Sequence, residues 1–417
     1  MRTITTILFM ALLLPATFDQ AAADPADTIG ISWAGRATAG ACTAGIGGPA
    51  AATYNPALVG SGGPGFFVGA LFLHNALDPA IHGADSNQAF AEMGASLPLA
   101  DLGNWGDLWL GITALSPVES LYDIDLADDV APTFLTFGTR ERRLSLSAAL
   151  AWSIPGLFGI GAGFELLPTV AGAVQADLAD PAGTNELHVD VGYSLSPTAG
   201  LLLNVHPAIR IGLNYRAQNR TQIELPVDVQ AEGLEISAAV AAQTYYLPHR
   251  LALGIETSFP SGFAAEVDIG WLHYADYPAP APSVAVFDAT GADTLGAEVA
   301  TATVHDVLSP SASLKFAGPF DAALGYRFVP AATESQTGLT NVLDNSRHQV
   351  SCGGRIPLPG AASIGISELH ITADFSATFL QPRRDEKNSM LLGNPGYPSI
   401  RYGGYRISAG LGLEVSY

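Results

Sequence analysis

The sequence predicts an all-β protein, a transmembrane antiparallel β-barrel of about fourteen strands whose lumen is plugged by a small N-terminal hatch. Three observations lead to this prediction. Only 14% of the 417 residues are charged, well below the roughly 25% of soluble domains. The mature chain has no run of about 20 apolar residues that would form a spanning helix. Apolar and polar residues instead alternate in segments of roughly ten, as in membrane barrels.

The N-terminus has the features of a secretory signal. Arg2 supplies a positive charge, residues 7–14 form an apolar core, and residues 21–23 are three alanines before Asp24. This order of a charged, an apolar and a small-residue region is typical of a cleaved signal peptide. We therefore predict that residues 1–23 are a signal peptide and that the protein is exported.

Residues 35–63 are rich in glycine and alanine and lack both helical and strand periodicity. A segment so poor in large apolar side chains cannot build a core of its own. It needs a cavity in which to lie, and the strands that follow would supply the wall. We therefore predict a hatch at residues 24–63 and a barrel at residues 64–417.

Strand alternation is clearest at the C-terminus, where residues 405, 407, 409, 411, 413, 415 and 417 are apolar or aromatic. The residues between them are polar or glycine, so one set faces the lumen and the other lipid. Short connections alternate with long ones, as in barrels with short turns on one side. The predicted strands are centred near 66–74, 88–98, 107–116, 142–153, 157–172, 186–202, 208–224, 245–259, 262–276, 308–317, 319–331, 347–356, 368–381 and 404–417. Residues 226–243 are predicted to be one of the long outer loops.

Several motifs resemble the FadL/TodX group of outer-membrane transporters. The hatch carries a GRA segment at residues 35–37, a run of small residues and an NPAL motif at residues 55–58. Residues 247–250, which read LPHR, lead into a hairpin whose second strand contains Trp271. Residues 344–347 also resemble the group, and the alternating C-terminal strand resembles the terminal signal of bacterial outer-membrane barrels.

This resemblance implies passive uptake of hydrophobic small molecules across the bacterial outer membrane. Long-chain fatty acids are the first expected substrate class and aromatic hydrocarbons the alternative. The expected partners are the substrate, outer-membrane lipids and the barrel assembly machinery, which would act through Tyr417. The resemblance also implies that hatch residues line the transport path. These are Gly35, Arg36, Tyr54, Asn55, Pro56, Ala57 and Leu58.

A general porin and an outer-membrane hydrolase are the less favoured functions. A porin would lack the hatch. A hydrolase would need a nucleophile beside a base, and only His370 and Asp374, which share the inward face of one strand, invite that comparison. The nine histidines show no metal-ligand spacing. We therefore predict no catalytic residues, metal or cofactor.

Charged residues at inward positions are expected to pair with each other or with the hatch, because an unpaired buried charge is costly. One or two of the arginines could instead hold a carboxylate head group. The net charge of −21 argues against nucleic acid as a partner. The predicted inward residues are Arg143, Arg210, Arg216, Arg250, Lys315, Arg327, Arg355, Glu165, Glu256, Glu266, Asp268 and Asp374.

Two further expectations concern the aromatic residues and the cysteines. Tryptophan and tyrosine near strand ends are expected to form interfacial girdles. Cys42 lies in the hatch, whereas Cys352 lies on the lipid-facing parity, so a disulfide would have to cross the wall. The predicted girdle residues are Trp105, Trp109, Trp152, Trp271, Tyr274, Tyr405 and Tyr417.

Overall fold

The structure is a computed structural model. It describes residues 25–79, 87–119, 131–137, 141–177, 186–231, 234–277, 283–287, 302–359, 368–388, 390 and 393–416. The predicted signal peptide and Tyr417 lie outside these ranges. The helices are α1 (Pro25–Thr28), α2 (Ser32–Ala37) and α3 (Ala51–Tyr54), with 3-10 turns at Pro56–Gly62 and Gly103–Trp105. No helix among the described residues is long and apolar enough to cross a membrane.

The strands follow one another along the chain, nearly always paired with their sequence neighbours. They are β1 (Gly65–Asp78), β2 (Asn87–Asp101), β3 (Asp107–Pro117), β4 (Thr133–Phe134), β5 (Ser145–Ile154), β6 (Phe158–Asp177), β7 (Glu186–His206), β8 (Ile209–Arg216), β9 (Asn219–Ala231), β10 (Leu234–Leu247), β11 (His249–Ser258), β12 (Phe263–His273), β13 (Ser283–Phe287), β14 (Val307–Phe316), β15 (Asp321–Val329), β16 (Val342–Leu343), β17 (Arg347–Pro357), β18 (Glu368–Glu386) and β19 (Ser399–Ser416).

Fourteen antiparallel strands close into a barrel, which confirms the predicted fold. Closure is made by β1, which pairs with β2 on one side and with β19 on the other. Closure leaves no unpaired sheet edge. The connections are short at the end where β1 begins and long at the other; we call these the turn end and the loop end. The closing strands are β1, β2, β3, β5, β6, β7, β8, β11, β12, β14, β15, β17, β18 and β19.

The predicted outer loop at residues 226–243 is wrong. Residues 226–231 belong to β9 and residues 234–243 to β10, a pair of strands that continues past the loop end of β8 and β11. The predicted strand at 208–224 is likewise interrupted at residues 217–218, where β8 gives way to β9. Pairing between β9 and β10 satisfies backbone hydrogen-bonding groups that an irregular loop would have to satisfy with water.

The two faces of the wall follow the predicted parity. On β19, Leu411 is 61% exposed on the outside, whereas Arg406 is 4% exposed and points inward. On β18, Phe375 is 45% exposed and its neighbour Asp374 only 7%. Cys352 is also exposed. On these two strands the outer face is therefore apolar and the inner face polar, an arrangement that suits lipid outside and a polar lumen.

The cysteines and most of the girdle residues can be placed. Cys42 is buried and unpaired, and Cys352 is also free, in line with the predicted separation across the wall. Trp105 and Tyr405 are exposed. The girdle prediction is wrong for Trp109 and Tyr274, which are buried on the inner side. Each takes part in an apolar cluster there, because packing against the contents of the lumen outweighs the preference for an interface.

Single cysteines introduced at Leu411, Phe375, Asp374 and Glu414, in a background without native cysteines, should separate into two classes. Fluorophores at the first two sites should be strongly quenched by a lipid-phase quencher, because these side chains leave the outer face of the wall. Fluorophores at the last two should respond weakly. Quenching that did not follow this parity would contradict the placement of the outer face in lipid.

Candidate functional site

The hatch, from residue 25 to residue 63, lies inside the barrel and packs on its wall. Its apolar side chains form two clusters with inward residues of the strands. One joins Ile31 and Tyr54 to Phe67 and Phe90, and the other joins Leu58 to the wall. The first cluster also contains the wall residues Leu71, Leu73 and Leu115. The wall residues of the second are Trp109, Ala149, Ala151 and Leu202. The wall thus supplies the apolar surface that the hatch lacks.

Arg36 is the central anchor of the hatch. Its Nη1 donates to Glu92 Oε2 at 2.6 Å, and its Nε donates to Asp374 Oδ1 at 2.7 Å. Nη2 donates to both carboxylates at 2.8 Å. All three side chains are at most 7% exposed, so each charge depends on the others for compensation. Arg36 therefore ties α2 to β2 and β18 at once.

Asp27 is a second anchor, and sequence reasoning missed it. Arg250 Nη1 donates to Asp27 Oδ1 at 2.7 Å, and Arg216 Nη2 donates to Asp27 Oδ2. Burial opposes ionisation of Asp27, but the guanidiniums of Arg216, Arg250 and Arg327 outweigh this effect and the pKa of Asp27 is lowered. The carboxylate is therefore charged at neutral pH and holds α1 against β8 and β11. The available sequence signal was Asp27 itself, an acidic residue just before the stretch of small residues at 35–63.

Acidic residues of β12 hold the backbone of the hatch. Asp268 Oδ2 accepts from the N–H groups of Cys42 and Thr43, each at 2.9 Å. Glu266 Oε1 accepts from the N–H of Ala44 at 2.6 Å. Since this stretch is neither helix nor strand, its N–H groups have no regular partner, and the wall carboxylates satisfy them.

Tyr54 and Asn55 organise the turn before the 3-10 segment. Tyr54 Oη accepts from the N–H of Ile31 at 2.8 Å and donates to the Ile31 carbonyl at 3.1 Å. Asn55 Oδ1 accepts from the N–H of Ala57 at 3.1 Å, while its Nδ2 donates to the Thr43 carbonyl at 2.7 Å. The amide of Asn55 therefore caps the following turn and joins two parts of the hatch.

The remaining predicted site residues pack closely. A Cβ at Gly35 would overlap the ring of Tyr54. Pro56 begins the 3-10 segment, where its missing N–H is not needed. Ala57 and Leu58 are at most 1% exposed. The structure thus brings all seven predicted residues into the buried hatch, five of them contiguous in sequence and the other two in α2.

Glycines of the wall form a seat for this turn, and sequence reasoning missed them. A Cβ at Gly161 would come within 2.6 Å of the N of Ala57, and one at Gly159 within 2.7 Å of its carbonyl oxygen. On β7, a Cβ at Gly200 would overlap the side chain of Asn55. Glycine allows this close approach of two backbones. Glycines at alternate, inward positions of β6 were the sequence signal for the seat.

Most of the predicted inward charges form ion pairs, with other wall residues or with the hatch. They are Arg210 with Glu256, Lys315 with Glu256 and Glu266, Arg216 with Asp27 and Glu165, Arg250 with Asp27, and Arg355 with Asp321 and Glu414.

His370 and Asp374, the pair that invited comparison with a hydrolase, have different partners among the described residues. Asp374 is engaged by Arg36, and the carboxylate nearest to His370 in the ion-pair geometry is Glu368, at 3.9 Å. His370 Nδ1 has no hydrogen-bond partner in the part of the chain that the structure describes. Within the described ranges, no group of three or more His, Cys, Asp and Glu residues is arranged to hold a metal ion.

An apolar layer lies at the loop end of the lumen, on the far side of the Asp27 anchor from the turn end. It consists of buried side chains from strand ends and from the connections above them. Its members are Leu135, Leu167, Tyr246, Leu247, Leu272, Tyr274, Val307, Val329, Ala332 and Val342. These side chains pack against one another and are at most 7% exposed, so this level of the lumen is closed by apolar contacts.

A cavity of about 450 Å³ lies at the turn end, beneath the hatch. The hatch contributes Trp33 and the loop at residues 45–50, and the wall contributes Phe316, Lys315 and Arg355. The hatch therefore separates this cavity from the apolar layer.

Comparisons with known proteins agree with this architecture. No family model matches the chain, and no curated protein is similar to it in sequence. Among solved structures, a Pseudomonas aeruginosa FadL homologue has a TM-score of 0.58 at 14% identity, covering 93% of this chain and 98% of that one. The CymD monoaromatic hydrocarbon channel has a TM-score of 0.54 at 12% identity, with coverage of 93% and 98%. The P. putida toluene transporter TodX has a TM-score of 0.53 at 15% identity, with coverage of 92% and 97%.

At these identities the likeness concerns three-dimensional architecture. It extends over nearly the whole length of each chain. The chain has the fold of the FadL and TodX group of hydrophobic-compound channels.

Proposed function

We propose that this protein is an outer-membrane channel for passive uptake of hydrophobic small molecules, with long-chain fatty acids as its first substrate class. The fold likeness, the exposed apolar outer face and the secretory signal predicted at residues 1–23 support this placement. In this proposal residues 24–63 act as the hatch and residues 64–417 as the barrel. Outer-membrane lipids surround the wall, and Tyr417 serves recognition by the assembly machinery.

The observation that carries the proposal is the packed hatch between an apolar layer and a cavity. A water-filled porin would offer an apolar solute no favourable contact along its path. Here the solute would leave water for the apolar layer and gain about 25 cal/mol for each Å² of apolar surface buried. It would then have to pass a barrier that is held by polar contacts and by close packing of small residues.

Movement of the hatch is the step that opens the path. The glycine-rich segment costs entropy to order, and its order comes from contacts with the wall. Such a segment can have two states, and a ligand that binds one of them better shifts the balance. Gly35, Arg36, Tyr54, Asn55, Pro56, Ala57 and Leu58 then act by setting the stability of the closed state.

A lateral exit through the wall is less favoured. Pro117, whose missing N–H could interrupt the ladder and kink the strand, is the last residue of β3 and is still paired with Phe90. The N–H of Val118 donates to the Ala89 carbonyl beyond it. Ladder pairing between β2 and β3 thus continues to the end of the strand, and we favour a route past the hatch.

Aromatic hydrocarbons are the second candidate substrate class. The fold is similar to that of a monoaromatic hydrocarbon channel and of a toluene transporter. A small aromatic solute would use the same apolar layer and the same route. The two substrate classes differ in one respect. A fatty acid also carries a carboxylate, which would contact polar groups of the lumen, whereas an aromatic hydrocarbon carries none.

A disulfide lock tests the proposed route. Thr53 of the hatch and Thr113 of β3 have hydroxyl oxygens 2.7 Å apart, so Thr53→Cys with Thr113→Cys should form a disulfide in a background without native cysteines. In Gram-negative cells lacking their own fatty-acid channel, oxidation should lower oleate uptake at least about tenfold, and reduction should restore it. Uptake of labelled toluene, measured in parallel, tests the second substrate class.

The matched control is Thr113→Cys with Ser147→Cys, which are opposite each other on β3 and β5. This disulfide joins wall to wall and should leave uptake unchanged. Equal uptake in the oxidised and reduced hatch-locked protein would show that the hatch does not move during transport. Uptake of a disaccharide as fast as that of oleate would instead identify a general porin.

A further inference from the structure

The exposed positive charge of this acidic protein is concentrated at one place. The chain has a net charge of −21, and most of the Arg and Lys side chains in the described ranges are buried or half-buried. The exposed ones within those ranges are Arg384 of β18 and Arg401 of β19. Both lie where these two strands pair only with each other, beyond the loop end of the wall.

Arg384 and Arg401 are directly opposite each other in the ladder between β18 and β19. Like charges in directly opposite positions destabilise a pair of strands. Arg384 lies 3.6 Å from Glu386, in an ion pair whose two members are exposed. Asp78 of β1 is also exposed and lies opposite Gly403, but among the described residues it forms no ion pair with either arginine. The repulsion is therefore only partly compensated, and an anion between the two guanidiniums would remove it.

A β-bulge turns Arg384 toward the outer face. On β18 the outward residues have odd numbers as far as Phe379, which is 54% exposed. The register then shifts by one residue between Leu380 and Arg383. Beyond this shift Arg384 is exposed and Asp385 is 2% exposed. Bulges re-aim side chains in this way, and without this one Arg384 would point to the lumen side.

A belt of tyrosine and histidine pairs lies on the outer face below the arginines. The tyrosines are exposed, and each pair joins neighbouring strands at the loop end of the wall. Rings with an apolar body and a polar tip are favoured where hydrocarbon meets headgroups, so the belt marks that level of a bilayer. The pairs are Tyr215 with His249, Tyr326 with His348, and Tyr405 with His74.

Arg401 lies above this belt, four residues from Tyr405 along β19. A strand rises about 3.4 Å per residue and a barrel strand is tilted by about 35–45°, so Arg401 is roughly 10 Å above the belt. Long arginine side chains can also reach toward a membrane interface. The two guanidiniums are therefore at the level of the lipid headgroups.

We infer that Arg384 and Arg401 bind a phosphate of a phosphorylated glycolipid in the outer leaflet of the surrounding membrane. This inference rests on the outer-membrane placement in the proposed function, with the loop end facing outward. Phosphate oxygens match the fork of donors on a guanidinium. The acyl chains of the same lipid would lie along outward apolar residues below the bulge, including Phe379 and Phe375. The lipid would thus anchor the β18–β19 hairpin to its leaflet.

The test compares lipid A that carries two phosphates with lipid A from which both phosphates have been removed. Binding of each lipid to the detergent-solubilised full-length protein is measured by native mass spectrometry. The wild-type protein should bind the phosphorylated lipid at least about tenfold more tightly, because hydrogen bonds between charged partners are the strong ones. Arg384→Gln with Arg401→Gln should abolish this preference. Arg384→Lys with Arg401→Lys keeps the charge without the fork and should retain part of it.

Glu368→Gln is the control, because Glu368 is an exposed charge at the turn end of the same strand; it should leave the preference unchanged. Heat-modifiable mobility on gels verifies that each variant is folded. Equal binding of both lipids by the wild-type protein, or a wild-type preference in the double Gln variant, would overturn the inference. Displacement of the lipid by millimolar inorganic phosphate would also overturn it, since the site would then be one for free anions.

Oleate uptake separates this inference from the proposed function. The double Gln variant should take up labelled oleate at the wild-type rate, because both arginines lie outside the lumen. Slower uptake by this variant would contradict a role confined to the surrounding lipid. Wild-type protein that prefers phosphorylated lipid A but transports no hydrophobic solute would overturn the proposed function and leave the lipid site intact.

Discussion

Deleting residues 35–58 should convert the closed barrel into an open, poorly selective pore. The barrel is closed by backbone pairing between neighbouring strands, including β1 with β19, and this pairing does not involve the hatch. Water would fill the space and hydrate the inward charges that the hatch now covers. In planar lipid bilayers the full-length protein should be electrically silent, and the deletion variant should show stepwise single-channel conductance.

A second variant keeps the hatch in the lumen and changes only its local contacts, so its effect can be compared with that of the deletion. Asn55→Ala with Pro56→Ala removes the cap that Asn55 provides to Ala57 but leaves the hatch in the lumen. This variant should stay electrically silent and fold normally, while its uptake of labelled oleate should change. A deletion variant that is folded and still silent would contradict the role of the hatch as a plug.

Arg36→Met should loosen the hatch more than any other single substitution considered. It would leave Glu92 and Asp374 buried without their cation, and breaking a buried ion pair from one side costs roughly 3–5 kcal/mol. Hydrogen exchange in residues 29–59, followed by mass spectrometry, should accelerate by about 100-fold or more, since 1.4 kcal/mol is a factor of ten. Exchange in the wall strands should change little.

A compensated variant tests the cause of this effect. Combining Arg36→Met with Glu92→Gln and Asp374→Asn removes both uncompensated carboxylates, so most of the protection of the hatch should return. The exposed pair of Arg384 and Glu386 offers a control, since Arg384→Met should leave exchange unchanged. If the triple variant exchanged as fast as the single variant, lost packing of the arginine side chain, and not unpaired charge, would explain the result.

The sequence reveals the barrel because strand alternation is a local property. Each strand shows which of its residues face inward, as the exposed Leu411 and the buried Arg406 of β19 illustrate. Residues 226–243 were misread for a related reason. A long connection can continue the ladder beyond the wall, and nothing local distinguishes the β9–β10 hairpin from an irregular loop.

The composition of the hatch also determined that it needs a cavity, and the resemblance of its motifs to a transporter group singled out seven residues that the structure places in the buried hatch. The contacts of the hatch, however, were decided only by the tertiary structure. Arg36 and Asp374 are 338 positions apart in the chain, and Asp27 meets Arg250 across 223 positions. An irregular segment has no period that relates its side chains to the wall. Its conformation follows from where a closed ring of strands places carboxylates, guanidiniums and glycines, and only the folded barrel brings these groups together.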